Sequence, residues 1–570
     1  MKVAKFGGSS VASAAQFRKV ADIISSDIER RIVVVSAPGK RYKDDVKVTD
    51  MLIKLAEQVV AGEPHEETME AIVKRYADIA NELGLEADGF LAELVDDLQS
   101  KISAYRSEPP RLFDAIKASG EDHNAKLMAL YLQDRGLEAS YVSPLEAGII
   151  VTDEPGNAQV LPESYDKLKQ LRERRGVLVI PGFFGYSLSG HIVTFPRGGS
   201  DITGSIVAAG VKADVYENFT DVDSIYCVNP SIVADARKLK EITYREMREL
   251  SYSGFSVFHD EALEPVYRAG IPVCVKNTNN PAAPGTWIVA KRNHIEEPVA
   301  GIASDTGFCS INISKYLMNR EIGFGRRVLQ ILEDEGISYE HTPSGIDNMS
   351  IILRTDQLAD GKEERILARI REELAVDEVT IEYGLALIMV VGEGMEKTIG
   401  MAAKATTALA DANINLEMIN QGSSEVSMMF GVKEEVVNEA VRALYNAYFQ
   451  QAAVSPFLNV KQASETRAPI FYEPRSSSAR QIRRTTNWPI FYEPRSPHFR
   501  AISGRGNPSA SSITDVPQRS QSVLKEGFRW DSQTAGTDGD GLAGSLPYGR
   551  CPRESPASKR LRRGESVQAL

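Results

Sequence analysis

KVAKFGGSS, residues 2–10, opens the chain and sets the pattern of its first domain. Residues 2–6 read as a short strand. Gly7-Gly8 breaks it, because glycine reaches backbone angles that other residues avoid. Beyond the break, Ser13 and Gln16 have the spacing of a capping box, and Phe17, Val20, Ala21 and Ile24 fall on one helical face. Strand, glycine turn and helix in succession are how α/β proteins present backbone N–H groups to an anion. Lys5, expected at the strand end rather than in the core, adds a mobile positive charge at the edge of the turn.

The composition narrows the classes. A chain of 570 residues with 42% hydrophobic content is long enough for several ordinary cores. No stretch approaches the apolar length of a membrane span, and the first residues do not read as a secretory signal. Cys227, Cys274, Cys309 and Cys551 are scattered without ligand spacing, and the seven histidines form no metal-binding pattern. The expectation is a cytoplasmic protein with no metal site and no membrane partner. The net charge of −12 hides a split. From residue 461 onward, 18 Lys and Arg face 10 Asp and Glu, a net of +8; the body keeps 48 against 68, a net of −20. An acidic body argues against nucleic-acid binding, so anion sites must be local.

Residues 1–290 alternate strands and helices in the manner of an α/β layered domain. Strands are expected at 31–36, 176–181, 215–218 and 271–275, a long helical region at 48–135, and a closing strand at 287–289 after Pro281, Pro284 and Gly285. From about 300 the units become shorter. Strands at 301–313, 350–353, 385–391 and 426–432 alternate with helices at 325–335, 363–373, 398–412 and 434–449. Two related β-α-β modules, 300–378 and 379–455, account for this order. Residues 456–570 lose the pattern, are rich in Ser, Pro, Gly and Arg, and read as a disordered tail. PIFYEPRS occurs there twice, at 469–476 and 489–496: either a short binding motif or the product of an aberrant fusion or read-through. Gly539, Gly541 and Gly544 have dinucleotide-fingerprint spacing, but no strand precedes them and no helix follows.

No GxxxxGK[ST] motif is present. Three other segments stand out: 5–10, the buried strand and small-residue turn 33–39, and the loop 196–204 (PRGGSDITG). All three are expected where a parallel strand runs out, which is where open α/β sheets bind ligands. Singly, a double glycine is a tight turn, and RGGSD is a loop with Asp201 favouring a helix start. Together they supply glycines for close approach to phosphates, Lys5 and Arg197 to neutralise charge, and Asp201 to orient a cationic or proton-bearing group. That set fits phosphoryl transfer, which is mostly positioning and electrostatics.

KFGGSSVA at the start, Ser119-Gly120-Glu121, FPRGGSD (195–201), FTDVDSIY (219–226), NPAAPGTWI (280–288) and QGSSEVS (421–427) together resemble aspartate kinase. The resemblance covers residues 1–455. It implies an amino-acid-kinase fold, a mostly parallel sheet between helices, followed by two ACT-like, ferredoxin-type modules. It implies ATP-dependent phosphorylation of the β-carboxylate of L-aspartate, opening the route to lysine, threonine and methionine. Position by position, Lys5 and Asp201 stand at the catalytic places; Lys5, Gly7, Gly8, Ser9, Thr220, Asp221 and Tyr226 at the ATP-binding ones. Ser36, Thr49, Glu121, Phe183, Arg197, Gly199 and Ser200 stand at the substrate-binding ones. Glu121 then pairs with the substrate's α-ammonium and Arg197 with its α-carboxylate, a scheme that suits an acidic partner and a bidentate guanidinium. Mg²⁺ would bridge ATP oxygens with few or no protein ligands.

Two positions depart from the family: Ser231 and Ser256 stand where basic residues usually serve the nucleotide phosphates, and Lys276 or Lys212 are the candidate substitutes. Regulation is expected at Met318, Gly323, Phe324, Gly325, Ser344, Ile346 and Asp347, with lysine as effector and threonine as runner-up or co-effector. A homo-oligomer through the ACT-like modules is expected as well. The competing readings are a catalytically silent amino-acid sensor of the same fold, a superfamily kinase acting on glutamate or a nucleotide, and nucleic-acid binding through the basic tail.

Overall fold

The computed structural model describes residues 1–450, apart from 197, 256, 257, 259, 260, 293–296 and 423–425. Arg197, Ser256, part of QGSSEVS and the tail therefore lie outside the described residues.

The region expected to be catalytic is built on an eight-stranded sheet. Its order is Ala139–Tyr141, Val177–Pro181, Arg30–Val35, Lys2–Phe6, Val215–Thr220, Val273–Asn277, Thr286–Val289, Glu241–Thr243. The first six run parallel, and Thr286–Val289 is antiparallel to Val273–Asn277. Lys2–Phe6 is central: the chain goes first to Arg30–Val35 on one side and later to Val215–Thr220 on the other. Its carboxyl end, at Gly7, is thus a switch point where the connections diverge and leave a crevice. Alternate residues feed opposite cores, Val3, Ile32 and Val34 on one face and Ala4, Phe6, Val33 and Val35 on the other. Helices Ala14–Ser25, Val48–Ala61, Glu66–Leu83, Asp88–Tyr105 and Pro109–Asp134 cover the second face, and Gly199–Gly210 and Tyr244–Tyr252 the first.

Three local expectations need correction. Ser13 does precede helix Ala14–Ser25, but no capping box forms: the Gln16 N–H donates to the Ser13 carbonyl at 3.0 Å and not to its hydroxyl, and the Gln16 side-chain amide donates to Asn279. The loop 196–204 does not follow a parallel strand; Ile192–Thr194 is antiparallel to Phe184–Ser187 in a separate three-stranded sheet. Lys5 is not an exposed strand end: it is 6% exposed.

The region expected to be regulatory is one antiparallel five-stranded sheet in the order Asn348–Arg354, Gly301–Ser314, Glu378–Val391, Ser427–Lys433, Met418–Gln421. Two of these strands, Gly301–Ser314 and Glu378–Val391, are 14 residues long, and each serves two cores. Cys309, Ile311, Ile313 and Val379 pack with helices Phe324–Asp334 and Lys362–Leu374. Ile302, Ala386, Ile388 and Val390 pack with Met401–Asp411 and Val437–Tyr445. A division at 378/379 therefore does not follow the packing: Val379 belongs with the first core, and Ile302 with the second. The opposite face of the sheet, with Ile352, Leu385, Leu387 and Met389, shares a core with Met247 and Leu250 of helix Tyr244–Tyr252 in the catalytic region.

Candidate active site

Lys5 leaves the end of the central strand, and its Nζ lies 2.6 Å from Asp201 Oδ1. Asp201 sits in the first turn of helix Gly199–Gly210, where the helix dipole favours a carboxylate. Asn218, on the neighbouring strand, donates its amide to the same Oδ1 at 2.5 Å, and the Tyr216 hydroxyl donates to the Asp201 carbonyl at 3.2 Å. Asp201 is thereby held at its carboxylate and at its backbone, and it fixes Lys5. An ammonium has three donors, so Lys5 keeps two for an incoming anion. A methyl group on Gly7 would stand 3.5 Å from Lys5 Nζ, inside that approach. The turn after it, a short 3₁₀ segment Gly8–Val11, is packed against the 36–39 turn: Gly39 N–H donates to the Gly8 carbonyl at 2.9 Å, and a methyl on Gly39 would lie 2.6 Å from the Gly8 carbonyl carbon. The residues present thus fit a phosphate: a cation with spare donors beside a glycine turn that a side chain would fill.

Thr220 ends the strand paired with Lys2–Phe6 and Asp221 follows it, at the same end of the sheet as Gly7; Gly7 N–H donates to the Phe219 carbonyl at 3.1 Å. Thr220 Oγ1 donates to Asp221 Oδ1 at 3.2 Å. Tyr226 lies further along, with the Lys238 ammonium 5.9 Å over its ring. Ser231 closes a local turn on Asn229, its N–H and hydroxyl both donating to Asn229 Oδ1 at 2.9 Å. Of the suggested substitutes, Lys276 pairs in register with Phe219, next to Thr220. Lys212 does not reach: it follows the far end of the helix Gly199–Gly210, roughly 18 Å from its start.

The other half of the crevice comes from helix Pro109–Asp134. Glu121 is 5% exposed, and its Oε2 has no hydrogen-bond partner. Burial pushes its carboxyl up to about 8, against the opposing pull of the Ala37 N–H, its own N–H, Lys5 and Lys117. Gly120 allows this approach: a methyl there would stand 2.9 Å from the Ala37 side chain. Asn124, one turn on, donates to the Ser36 carbonyl at 2.6 Å. Thr49 lies in the first turn of helix Val48–Ala61, which is tied to this loop by Val48 N–H donating to the Pro38 carbonyl at 3.1 Å. Phe183 holds a left-handed φ of 77°, its N–H donating to Thr203 Oγ1 at 2.9 Å. Gly199 and Ser200 abut it: methyls on Gly199 and Gly182 would lie 2.5 Å from the Phe183 ring and 2.6 Å from Ser200 Oγ.

Lys117 escaped the sequence reading. Its ammonium is 3.1 Å from both Asp114 Oδ1 and Thr194 Oγ1 and 5.7 Å over the Phe183 ring. It precedes Glu121 by four residues, so helical spacing alone places both on one face. Asn218 and Tyr216 carry no such signal, being picked out only by their strand's position beside Lys5.

In the regulatory sheet, the two expected effector segments meet. Asn319 N–H donates to the Ile346 carbonyl at 3.0 Å, and Leu317 N–H donates to Asp347 Oδ1 at 2.8 Å. Met318 and Phe324 turn into the core, whereas Ile346 is exposed. Gly323, at φ 79°, precedes helix Phe324–Asp334, whose second residue is Gly325, and Ser344 bridges to Met349.

Comparison with known proteins falls on the same regions. Residues 1–277 match the model of the amino acid kinase family, and residues 388–448 match the ACT domain. Aspartokinase 3 of Bacillus subtilis (strain 168) is 60% identical over 455 residues, covering 80% of this chain and 100% of the relative. The chain belongs to the aspartokinase family. Among solved aspartokinases, the aspartate kinase of Clostridium acetobutylicum is 39% identical with a TM-score of 0.68, over 79% of this chain and 100% of that one. Aspartokinase III of E. coli, in complex with aspartate and ADP, is 27% identical with a TM-score of 0.66 over the same shares. The aspartokinase relatives leave the tail unmatched, as the motifs do. Among the described residues no helix is long and apolar enough to cross a membrane, and no group of three or more His, Cys, Asp or Glu could hold a metal ion.

Proposed function

We propose that this aspartate kinase transfers the γ-phosphoryl group of ATP to the β-carboxylate of L-aspartate, and that Lys5, Asp201, Glu121 and Arg197 carry the reaction. The observation that carries the reading is the pairing of two opposite needs in one crevice. Lys5 is a clamped cation with donors to spare, and Glu121 is a buried carboxyl with an oxygen unpaired. An amino acid receiving phosphate supplies both missing partners, an α-ammonium and a developing anion.

Glu121 holds its proton in the empty site and releases it as the α-ammonium enters. Arg197, next to the Gly198–Gly199 turn, grips the α-carboxylate and so leaves the β-carboxylate as the only free nucleophile. Lys5 donates to the oxygens between donor and acceptor, where negative charge spreads during transfer. Asp201 and Asn218 keep that ammonium from swinging away. Gly7, Gly8, Ser9, Thr220, Asp221 and Tyr226 line the nucleotide side, where Mg²⁺, with few or no protein ligands, would neutralise charge on the phosphates. Support for nucleotide and substrate comes from the E. coli enzyme, whose structures hold aspartate with ADP in one state and lysine with aspartate in another.

Feedback by lysine, with threonine as the alternative, belongs to the same reading, with the 318–325 and 344–347 segments as effector site. So do a cytoplasmic place and a homo-oligomer. The test is formation of aspartyl hydroxamate from ATP, Mg²⁺ and aspartate, with and without lysine and threonine. Product that requires both substrates and falls with lysine supports the whole reading. Bound lysine without any turnover would make the chain a silent sensor.

A further inference from the structure

Helix Glu66–Leu83 contributes nothing to the crevice itself, yet two consecutive residues on its buried face reach the two walls of the crevice from behind. Arg75, 4% exposed, donates through Nη1 to the Gly39 carbonyl at 3.1 Å and through Nη2 to the Val46 carbonyl at 2.9 Å. Its Nη2 also meets both Asp45 oxygens, at 2.9 and 3.0 Å. Asp45 is itself buried and takes a second guanidinium, that of Arg41, which holds its carboxyl well below the usual range. Tyr76, fully buried, donates its hydroxyl to the Gly120 carbonyl at 2.7 Å.

A buried arginine is costly unless its charge is paired and its donors are hydrogen-bonded. Here the contacts land on one short turn. Gly39, held by Arg75, is wedged against Gly8 on the phosphate side; Ala37, two residues earlier, donates its N–H to Glu121. Gly120, held by Tyr76, presses on Ala37 from the other side. The 36–39 turn is therefore the spacer between the phosphate turn and Glu121, and the helix behind it sets both distances.

We infer that Arg75 and Tyr76 are positioning residues of this site: Arg75 sets the spacing between the phosphate turn and the 36–39 turn, and Tyr76 sets the depth of Glu121. This rests on the proposed roles of Lys5, Gly8 and Glu121. The two residues then have different kinetic signatures. Arg75→Lys cannot reach Gly39, Val46 and Asp45 at once, since an ammonium lacks the guanidinium fork. It lowers kcat/KM for both ATP and aspartate by about 10- to 100-fold, the loss expected when reacting groups shift by about an ångström. Tyr76→Phe raises the aspartate KM about three- to tenfold and leaves the ATP KM unchanged. Lys74→Ala, exposed on the same helix, changes neither.

The experiment is steady-state kinetics on the full chain, normalised to folded protein by circular dichroism, with ADP affinity measured by calorimetry. A merely structural role would lower the folded fraction and the melting temperature and leave both KM values and the ADP affinity of the folded molecules intact; that result for Arg75→Lys overturns the inference. So does a Tyr76→Phe enzyme in which both KM values move together. Should Arg75→Lys fail to fold, Asp45→Asn loosens the same latch from the loop side and must show the two-substrate loss. Wild type assayed in parallel separates the two failures: no wild-type turnover refutes the aspartate-kinase reading, and normal wild-type turnover with normal variants refutes the positioning roles.

Discussion

Replacing Glu121 by glutamine tests the substrate side of the site most directly. In the empty crevice the carboxyl is pushed up to about 8, from an ordinary value of 4.5. At pH 7 only about one site in ten then carries the charge that an α-ammonium needs. Aspartate affinity is reduced by that fraction, as for any ligand whose receptive state is a minority. Because kcat/KM reports the free enzyme, the value for aspartate should rise about tenfold per pH unit below 7 and level off above about 8. Glu121→Gln removes the titration, so its profile should be flat across that window. At pH 8.5 the variant should lose about 10- to 150-fold, corresponding to roughly 1.5–3 kcal/mol for a hydrogen bond to a charged group. At pH 7 the gap should narrow by about tenfold, since the wild-type carboxyl is then mostly protonated. The assay is aspartate-dependent ADP release from pH 6 to 8.5. A flat wild-type profile, or a variant that keeps the slope, refutes the argument. Stability must move the other way. The folded state retains a proton that the unfolded chain loses above 4.5, so folding weakens as pH rises from there to about 8. The ligand-free glutamine variant should therefore melt higher than wild type at pH 8 and nearly with it at pH 5, the difference reaching roughly 3–5 kcal/mol at most.

Lys5→Met should cut kcat about 10²- to 10³-fold, the loss typical of one donor aimed at developing charge, with near wild-type turnover counting against its role. Because it leaves the Asp201 carboxylate in a crevice without its cation, the Lys5→Met/Asp201→Asn double variant should melt higher than the single one while remaining as inactive. In the regulatory sheet, Asp347→Asn keeps an acceptor for the Leu317 N–H and removes the charge, so it should relieve lysine inhibition and leave uninhibited turnover alone. An unchanged inhibition curve would move the effector elsewhere. Deleting residues 463–570 should change neither turnover nor inhibition, since a relative matched in full over 455 residues has no counterpart to them; a lost lysine response in the truncated chain would give the tail a role.

Much of the scaffold was legible because strand and helix periodicity are local. The strand expected at 31–36 is Arg30–Val35, and the helix expected at 363–373 is Lys362–Leu374. Failures came where a distant partner decides. Gln16 has capping-box spacing, yet an asparagine 263 residues away takes its amide. Residues 192–194 look like any buried strand, and only their neighbour, Phe184–Ser187, reveals a different sheet. For the site, Lys5 and Asp201 were readable as types at suggestive places, but the ion pair between them depends on how the central strand meets helix Gly199–Gly210. Arg75 was invisible. In a sequence it is one more basic residue on a helix, and its worth depends on three carbonyl and carboxylate partners 29 to 36 residues earlier.

The two long strands of the regulatory sheet impose an order of assembly on a chain made from its amino end. Residues 301–305 pair with 387–391, so the opening of the first strand waits for about 80 to 90 residues of synthesis before it has a strand partner. The far half of that second strand then waits again, for Ser427–Lys433. A nascent chain stopped in between would display Leu387, Met389 and Val391 on one face and Ala386, Ile388 and Val390 on the other, along an open hydrogen-bonding edge. Neither core can close by local contacts alone, so loop closure precedes reward at each step, the circumstance that slows folding. The regulatory half is thus the slow and adhesive stage of this protein's production, and growth temperature and synthesis rate should govern its soluble yield more than the catalytic half does.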